Sequence, residues 1–378
     1  MNDPVHGYVA IPDYVKKIID TPIFQRLGYV KQLTSAAYVF PGATHTRKEH
    51  SIGVMHLANK YATFLFRDDR CDEYQIKLLT VAGLLHDVAH GIFSHAYDAT
   101  VYNEIYPNYE KGHDLHRYRL VRETLSYTLQ KIGINPEDIV DIWNGKNAIM
   151  SAIMKGAVSI DRMDFVNRDT YHTGTRHFGF FDIDRIIYNT SIYNNYIVYS
   201  EKIIPDIIQA LTSRNCMYKQ VYLHKTVVAA SVLIELMIKE AKTYLKLVEK
   251  TNNLEEFVKL TDEYLLYQIL YSEASELAQA KKYAQALYYR RLPKMINEEV
   301  ILFDGNSSHE TAGTFIVNNE IVWISRILTD DFIGEIDKYD VHIETHDGII
   351  PFSEYCKISN MIQEKKQYYI KRIYSDLF

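Results

Sequence analysis

Residues 82–98 read AGLLHDVAHGIFSHAYD, an apolar run that turns abruptly into His86, Asp87, His90, His95 and Asp98. Imidazole and carboxylate are the side chains that bind divalent ions through nitrogen and oxygen, and imidazole also moves protons near neutral pH. His86 and Asp87 fall at the end of an apolar helix. His90 lies four residues on, so His86 and His90 can share a helical face while Asp87 points to one side. A His-Asp pair alone is a weak signal, because a histidine at a helix end is more often a capped or satisfied residue than a ligand.

Two more segments strengthen it. GATHTRKEHSIGVMHLA presents His45, Arg47 and His50 just before an apolar helical run, and GAVSIDRMDFVNRDTYHTG presents Asp161, Asp164 and Asp169 with Arg162 and Arg168. Aspartates on an otherwise apolar helix need partners, since a buried carboxylate without them is costly. A metal would supply one. Imidazole and carboxylate from three separated segments suit Fe, Mn, Co, Ni or Zn, with open positions for water and substrate. The candidate ligands are His50, His86, Asp87 and Asp161.

The elements that must position these groups are mostly helical. YVKKIIDTPIFQRLGYVKQL holds a Thr-Pro suited to a helix start. EYQIKLLTVAGLLHDVAHG and HRYRLVRETLSYTLQKIG carry apolar residues at helical spacing and end at glycine, and KTVVAASVLIELMIKEAKTYLKLV continues the pattern. Near residue 293 the texture changes: EEVILFD, GTFIVNNEIVWISRI and YDVHIET cluster β-formers, and FIVNNEIVWI reads as a hairpin. The expectation is a mainly α protein, with a helical domain over 1–292 and a small α+β lobe over 293–378.

Composition bounds the function. At 378 residues with 47% hydrophobic and 24% charged residues, the chain can bury a large core. A formal net charge of -6 gives no overall cationic field for nucleic acid or anionic membrane, so any polyanion site must be local. Cys71, Cys216 and Cys356 are far apart and odd in number, which argues against a disulfide framework or a thiolate zinc site. The start lacks a charged region followed by an apolar core, and the longest apolar run, residues 226–238, is shorter than the roughly 20 residues of a membrane span. These features point to an intracellular protein, cytoplasmic or nuclear, that is neither secreted nor in a membrane.

With these residues in view, the order H…HD…D resembles the HD-domain metal-dependent phosphohydrolases. One branch is especially similar: the SAM-and-HD-domain deoxynucleoside triphosphate triphosphohydrolases. The matching stretches are DPVHGYVAI, IIDTPIFQRLGYVKQL, YVFPGATHTRKEHSIGV, AGLLHDVAHGIFSHAYD, SIDRMDFVNRDTYHTG, SRNCMYKQVYLHK and LTDEYLLYQILYS, which together cover most of residues 3 to about 290. The chain opens at the HD-domain boundary, so no SAM domain is expected.

That resemblance implies an HD-domain helical core and hydrolysis of a dNTP to deoxynucleoside and inorganic triphosphate, with Mg accompanying the nucleotide. It implies His95, oriented by Asp98, as proton donor to the leaving 5′ oxygen, His90 on phosphate oxygens, and a further active-site histidine at His113 or His116. Arg47, Arg162 and Arg214 correspond to phosphate contacts, Gln32 and Asp169 to groups on the sugar 3′-hydroxyl, and Leu33 and Tyr222 to walls against base and sugar. A tyrosine over C2′ excludes a ribose hydroxyl. Phe165 stands where the family has a tyrosine, and Leu223 where a glutamine approaches the base.

The family's active form is a tetramer assembled around activating nucleotides, and here a dimer or tetramer is expected. Asn2, Asp20, Gln25, Arg185 and Lys202 match parts of the activator site, whereas Gly28 and Ser200 replace two of its arginines. Losing charge-assisted bonds weakens polyanion binding. Two other readings use the same residues: an HD phosphohydrolase acting on another nucleotide or a single-stranded nucleic-acid end, and a non-catalytic nucleic-acid binder using the tyrosine-interleaved basic clusters YYRRLPK and EKKQYYIKR.

Overall fold

The structure, a computed structural model, describes residues 1–66, 73–109, 111–303, 312–317, 320–325, 328–329, 341–358 and 367–375. Cys71 and the Asn318–Asn319 tip of the expected hairpin lie outside them. The chain is mainly α, at 58% helix.

The helices follow the apolar spacing, and local chemistry sets their ends. Helix α1 (Arg47–Leu65) starts after Thr46, whose backbone N–H donates to Glu49 Oε1 at 3.2 Å. It packs on α2 (Glu73–Leu85), whose last turns from Leu78 to Leu85 are wholly buried. Gly83 permits the close approach, since a Cβ there would stand 2.9 Å from Ala58 Cβ. The segment expected as one helix from residue 116 to glycine 133 is two, α3 (Gly112–Arg122) and a short helix Ser126–Lys131, because the chain turns at 123–125.

Helix α4 (Ile160–Thr173) is capped by Ser159 Oγ, which accepts from Arg162 N, and is stopped by Gly174 at φ +76°. Helices α5 (Ile204–Met217) and α6 (Lys225–Ala241) are joined through a π-helical turn, Tyr218–Tyr222. Helix α6 is buried along most of its length and packs on α8 (Ala278–Tyr288), which follows α7 (Asp262–Leu270). It is the core helix expected from its sequence, and no single helix among the described residues is long and apolar enough to cross a membrane.

Strands β1 (Asn2–Asp3) and β2 (Gly7–Tyr8) form an amino-terminal hairpin. A second hairpin, β3 (Thr190–Tyr193) and β4 (Tyr196–Ser200), turns through Asn194 and Asn195 at φ +45° and +68°. Met295–Phe303 forms β5, Gly313–Val317 β6, Glu320–Ile324 β7 and Leu328–Thr329 β8; β6 and β7 pair antiparallel as the hairpin pattern anticipates. Strands β9 (His342–Thr345) and β10 (Gly348–Pro351) pair with each other, and β11 (Gln367–Tyr374) lies between β5 and β7, with Val300 opposite Ile370.

Strand β5 begins at Met295, and the carboxy-terminal strands join the helical region. Strand β9 pairs parallel with β4 of the helical region, His342 opposite Val198, and Ile321, Ile343, Phe352 and Tyr374 share one buried core with the helices.

Candidate metal centre and nucleotide pocket

Three elements bring the four candidate ligands together: α1 carries His50, the turn after α2 carries His86 and Asp87, and α4 carries Asp161. His50 Nε2 lies 3.1 Å from His86 Nε2, 3.1 Å from Asp161 Oδ1 and 3.8 Å from Asp87 Oδ2. His86 Nε2 lies 3.4 Å from Asp87 Oδ1 and 3.5 Å from Asp161 Oδ1. The Nδ1 of His86 faces the Gly83 carbonyl at 2.8 Å, and a carbonyl only accepts, so Nδ1 carries the proton and the Nε2 lone pair points inward. His50 Nδ1 likewise donates to Asp164 Oδ2 at 2.7 Å.

Inward lone pairs and carboxylates at these separations repel unless a cation stands among them. The same demand appears in His50. Burial opposes its charge, yet hydrogen bonds to Asp161 and Asp164 outweigh burial and push its pKa up to about 10. Asp87 is held well below the carboxylate range, against burial, by His86, Arg47 and His90. Two imidazole nitrogens with their outer nitrogens already bonded, plus two carboxylates, fit a first-row divalent ion.

His86 and His90 do not share a helical face. Helix α2 ends at Leu85, and residues 86–89 form a turn in which His90 N donates to Asp87 O at 3.1 Å. Two buried guanidiniums hold this turn: Arg117 Nη1 donates to His86 O at 2.6 Å, and Arg26 Nη1 to His90 O at 2.8 Å. His90 is thereby directed into a second cluster. Its ring stacks on His113 at 4.0 Å and meets His95 edge-on at 5.6 Å. Burial, Arg47 and His113 hold its pKa well below the ordinary histidine value.

Asp98 bonds His113 more closely than His95: His113 Nδ1 is 2.7 and 2.9 Å from its oxygens, whereas His95 Nδ1 is 3.6 Å away. Asp98, expected to orient His95, thus fixes His113 first and pairs with His95 at the longer distance. His116, the other alternative, stands outside the cluster of His90, Asp98 and His113. It is fully buried against Tyr102, Tyr106 and Phe257, and burial pushes its pKa down to about 3. The His95 side chain is 80% exposed, on the wall of the site. It follows Phe93 and Ser94 at φ +54° and +53°, backbone strain of order 1–3 kcal/mol each. Asp262 Oδ1, accepting from Phe93 N at 2.7 Å, and Arg47 Nε, donating to Ser94 Oγ at 2.9 Å, hold that kink.

On the neighbouring side, Asp169 accepts from Tyr222 Oη at 2.6 Å and His45 Nε2 at 2.8 Å, while Gln32 N donates to His45 O at 3.0 Å. Gln32 Oε1 is buried with no protein partner, a polar atom suited to a ligand. Leu33 and Phe165 are half-buried against the same core. His45 had no assigned role in sequence, its only signal being its place just ahead of Arg47 and His50. Arg162 and Arg214 line one narrow cleft with Met163 and Phe181. Arg47 is not free for phosphate as expected: it is buried, with Nη1 on Asp87 Oδ2 at 2.5 Å.

The residues matched to the family's activator site form two separate groups. Asn2 and Asp20 are exposed, and Gln25 donates to Ile19 O and accepts from Lys48 Nζ, both at 2.7 Å. Arg185 bonds Asp206 at 2.8 Å and the Lys202 carbonyl at 3.3 Å. Among the described residues no hydrogen bond or ion pair joins the groups. Residues 364–366 of EKKQYYIKR lie outside the described residues, and of the rest Tyr369, Ile370 and Arg372 are buried in β11.

Residues 47–156 match the HD domain family, and residues 181–300 match the HD associated region. This is an HD-domain protein. The HD-domain match takes in His50, His86, Asp87 and the His90–Asp98–His113 cluster, whereas Asp161 and Asp169 fall between the two matched regions. Its relatives include the deoxynucleoside triphosphate triphosphohydrolase SAMHD1 homolog of Dictyostelium discoideum, 30% identical over 80% of this chain and 61% of that protein. The deoxynucleoside triphosphate triphosphohydrolase SAMHD1 of Gallus gallus is 31% identical over 79% of this chain and 56% of its own length. An HD domain-containing protein of Acanthamoeba polyphaga mimivirus is 33% identical over 68% of this chain and 61% of its own length. The HD-domain chain described here thus spans about three fifths of the length of these relatives.

Proposed function

We propose that this HD-domain protein is a metal-dependent phosphohydrolase that converts deoxynucleoside triphosphates to deoxynucleoside and inorganic triphosphate. The observation that carries this reading is the arrangement of α4. Asp161 faces the other metal donors, and Asp169, eight residues on and so about 12 Å along the axis, holds Tyr222. One helix thus carries both a candidate metal ligand and the carboxylate that holds Tyr222. The printed names of the Dictyostelium and chicken relatives support the substrate class.

His50, His86, Asp87 and Asp161 would hold a divalent ion, which would supply positive charge to the phosphate and acidify a water. Water attack at the α-phosphorus breaks the bond to the 5′ oxygen, which must leave with a proton. His95 is the donor placed to supply it, being open to the site beside His90. The charge of an arriving triphosphate favours the protonated form needed. His113, fixed by Asp98, and His90 present imidazole to phosphate oxygens, and Arg162 and Arg214 take the rest of the tail. The Tyr222 ring stands against C2′, and Asp169 with Gln32 reads the 3′-hydroxyl. Assembly into a homo-oligomer belongs to the same proposal.

The deciding experiment is product analysis with purified protein, Mn or Fe, Mg and each of the four dNTPs, with and without GTP. Deoxynucleoside plus triphosphate is the expected outcome; deoxynucleoside monophosphate plus pyrophosphate would place the cut elsewhere and end this reading. A second reading keeps the metal site and changes the nucleotide. Phe165 and Leu223 favour it, because neither offers a polar side-chain atom to a base or phosphate. Hydrolysis confined to a non-dNTP nucleotide in the same assay would select it.

A further inference from the structure

The outer nitrogen of His50 leads away from the candidate metal centre to the amino terminus. Asp164, fully buried one helical turn after Asp161, accepts His50 Nδ1 at 2.7 Å, Arg168 Nε at 2.8 Å and Arg168 Nη2 at 2.9 Å. Its remaining contact is His6 Nε2, at 2.5 Å, from the β1–β2 hairpin. Four donors fill the lone-pair positions of one carboxylate. Burial works against its ionisation, but Arg168 and the two histidines outweigh burial and hold Asp164 well below the carboxylate range.

The hairpin is built to deliver His6. Asp3 Oδ1 accepts from Val5 N at 2.9 Å and His6 N at 3.0 Å, shaping the turn, and Asp3 Oδ2 accepts from Arg168 Nη1 at 2.8 Å. Gly7 at φ +71° brings the chain back, and Met1 and Val9 close the open end through two 2.8 Å bonds. Two-residue strands have little stability of their own, and Tyr8 is 77% exposed, so the hairpin is held largely by Val9 burial and by Asp3, His6 and their partners. Helix α1 makes room for this network. At Gly53, mid-helix, a Cβ would run into Asp164 Oδ1 and Arg168 Nη2.

We infer that the amino-terminal hairpin is a working part of the metal centre: His6 is a positioning residue that fixes Asp164 on His50 and so sets the ligand's orientation and metal affinity. A metal-bound imidazole depends on what its other nitrogen donates to, and loss of such a partner weakens metal binding about 10–100-fold. Removing His6 takes one of two donors from the buried Asp164 Oδ1 and loosens the carboxylate that holds His50. The inference rests on His50 as a ligand and not on the identity of the substrate.

The test uses full-length protein stripped of metal and titrated with Co(II), following both calorimetry and the visible d–d absorption. His6→Ala is expected to weaken Co(II) binding 10–100-fold and to shift the absorption. His6→Gln, which keeps an N–H donor at similar reach, should restore most of both. Tyr8→Ala removes an exposed side chain of the same hairpin without touching the network and should bind Co(II) as the unmodified protein does. Unchanged affinity and spectrum in His6→Ala would overturn the inference, as would an equal loss in Tyr8→Ala. Failure of the unmodified protein to bind Co(II) would overturn the metal assignment beneath it, whereas binding without dNTP hydrolysis would leave the inference standing and remove only the proposed substrate.

Discussion

Tyr222 has one polar atom, and that atom bonds Asp169. Its ring and its hydroxyl therefore do separable work. Under the proposed dNTP reading, Tyr222→Phe keeps the ring but leaves an Asp169 oxygen without its donor, so dNTP KM should rise about 5–30-fold, equivalent to roughly 1–2 kcal/mol. Rejection of ribonucleotides should survive. Tyr222→Ala opens the space and should lower the dNTP-to-rNTP ratio of kcat/KM by tenfold or more. Steady-state kinetics on matched dNTP and rNTP pairs separate the two effects, and identical behaviour of Phe and Ala would show that sugar selection is not steric. His45 belongs to the same scale: its imidazole holds the other Asp169 oxygen, so the carboxylate is fixed from two sides.

At the scale of elements, the turn from His86 to His95 is shaped by its neighbours. Arg26 and Arg117 hold two of its carbonyls, and Asp262, on α7, ties Phe93 N to Lys31 N through its two oxygens at 2.7 and 2.9 Å. Burial pushes the Asp262 pKa up from 3.8 to about 6, with those backbone N–H groups pulling the other way. A raised pKa means that folding favours the protonated form. That contribution is complete below pH 3.8 and is lost as pH rises through about 6, an effect on the order of 3 kcal/mol at most. Asp262→Asn cannot lose it, so the stability difference between variant and unmodified protein should shift in favour of Asn between pH 4.5 and 7.5. Urea unfolding at the two pH values measures this, and a pH-independent difference would show that Asp262 titrates normally.

Across the whole molecule, strand β11 reaches the break after Tyr222 from outside both family-matched regions. Arg372 Nη1 on β11 donates to Leu223 O at 2.7 Å, and Tyr374 Oη donates to Lys225 O at 3.1 Å, bracing the break between Tyr222 and α6. Glu298 on β5 fixes the same guanidinium at 2.6 Å. Arg372→Ala should cost about 1–3 kcal/mol of stability and raise dNTP KM several-fold while metal stoichiometry stays unchanged. Hydrogen exchange over residues 218–226 should quicken in that variant. Unaltered exchange and KM would mean that the brace has no bearing on the pocket.

The amino-acid sequence by itself determined what could be read locally. Ligand chemistry restricts the centre to His, Asp and their like, so H…HD…D stands out, and the apolar spacing of α1, α2 and α6 follows from what a helix must bury. The hairpin of β6 and β7 was legible for the same reason. Tertiary structure alone decided the rest, because each remaining choice turns on which distant group lies opposite. His113 and His116 sit three residues apart on α3, and only the packing gives one Asp98 and the other an aromatic wall. The end of α2 at Leu85 separates His86 from His90, as Arg26 and Arg117 take the carbonyls that a longer helix would have used. His6 meets Asp164 across 158 positions, and β9 joins β4 across more than a hundred, pairings that no periodicity within a segment records.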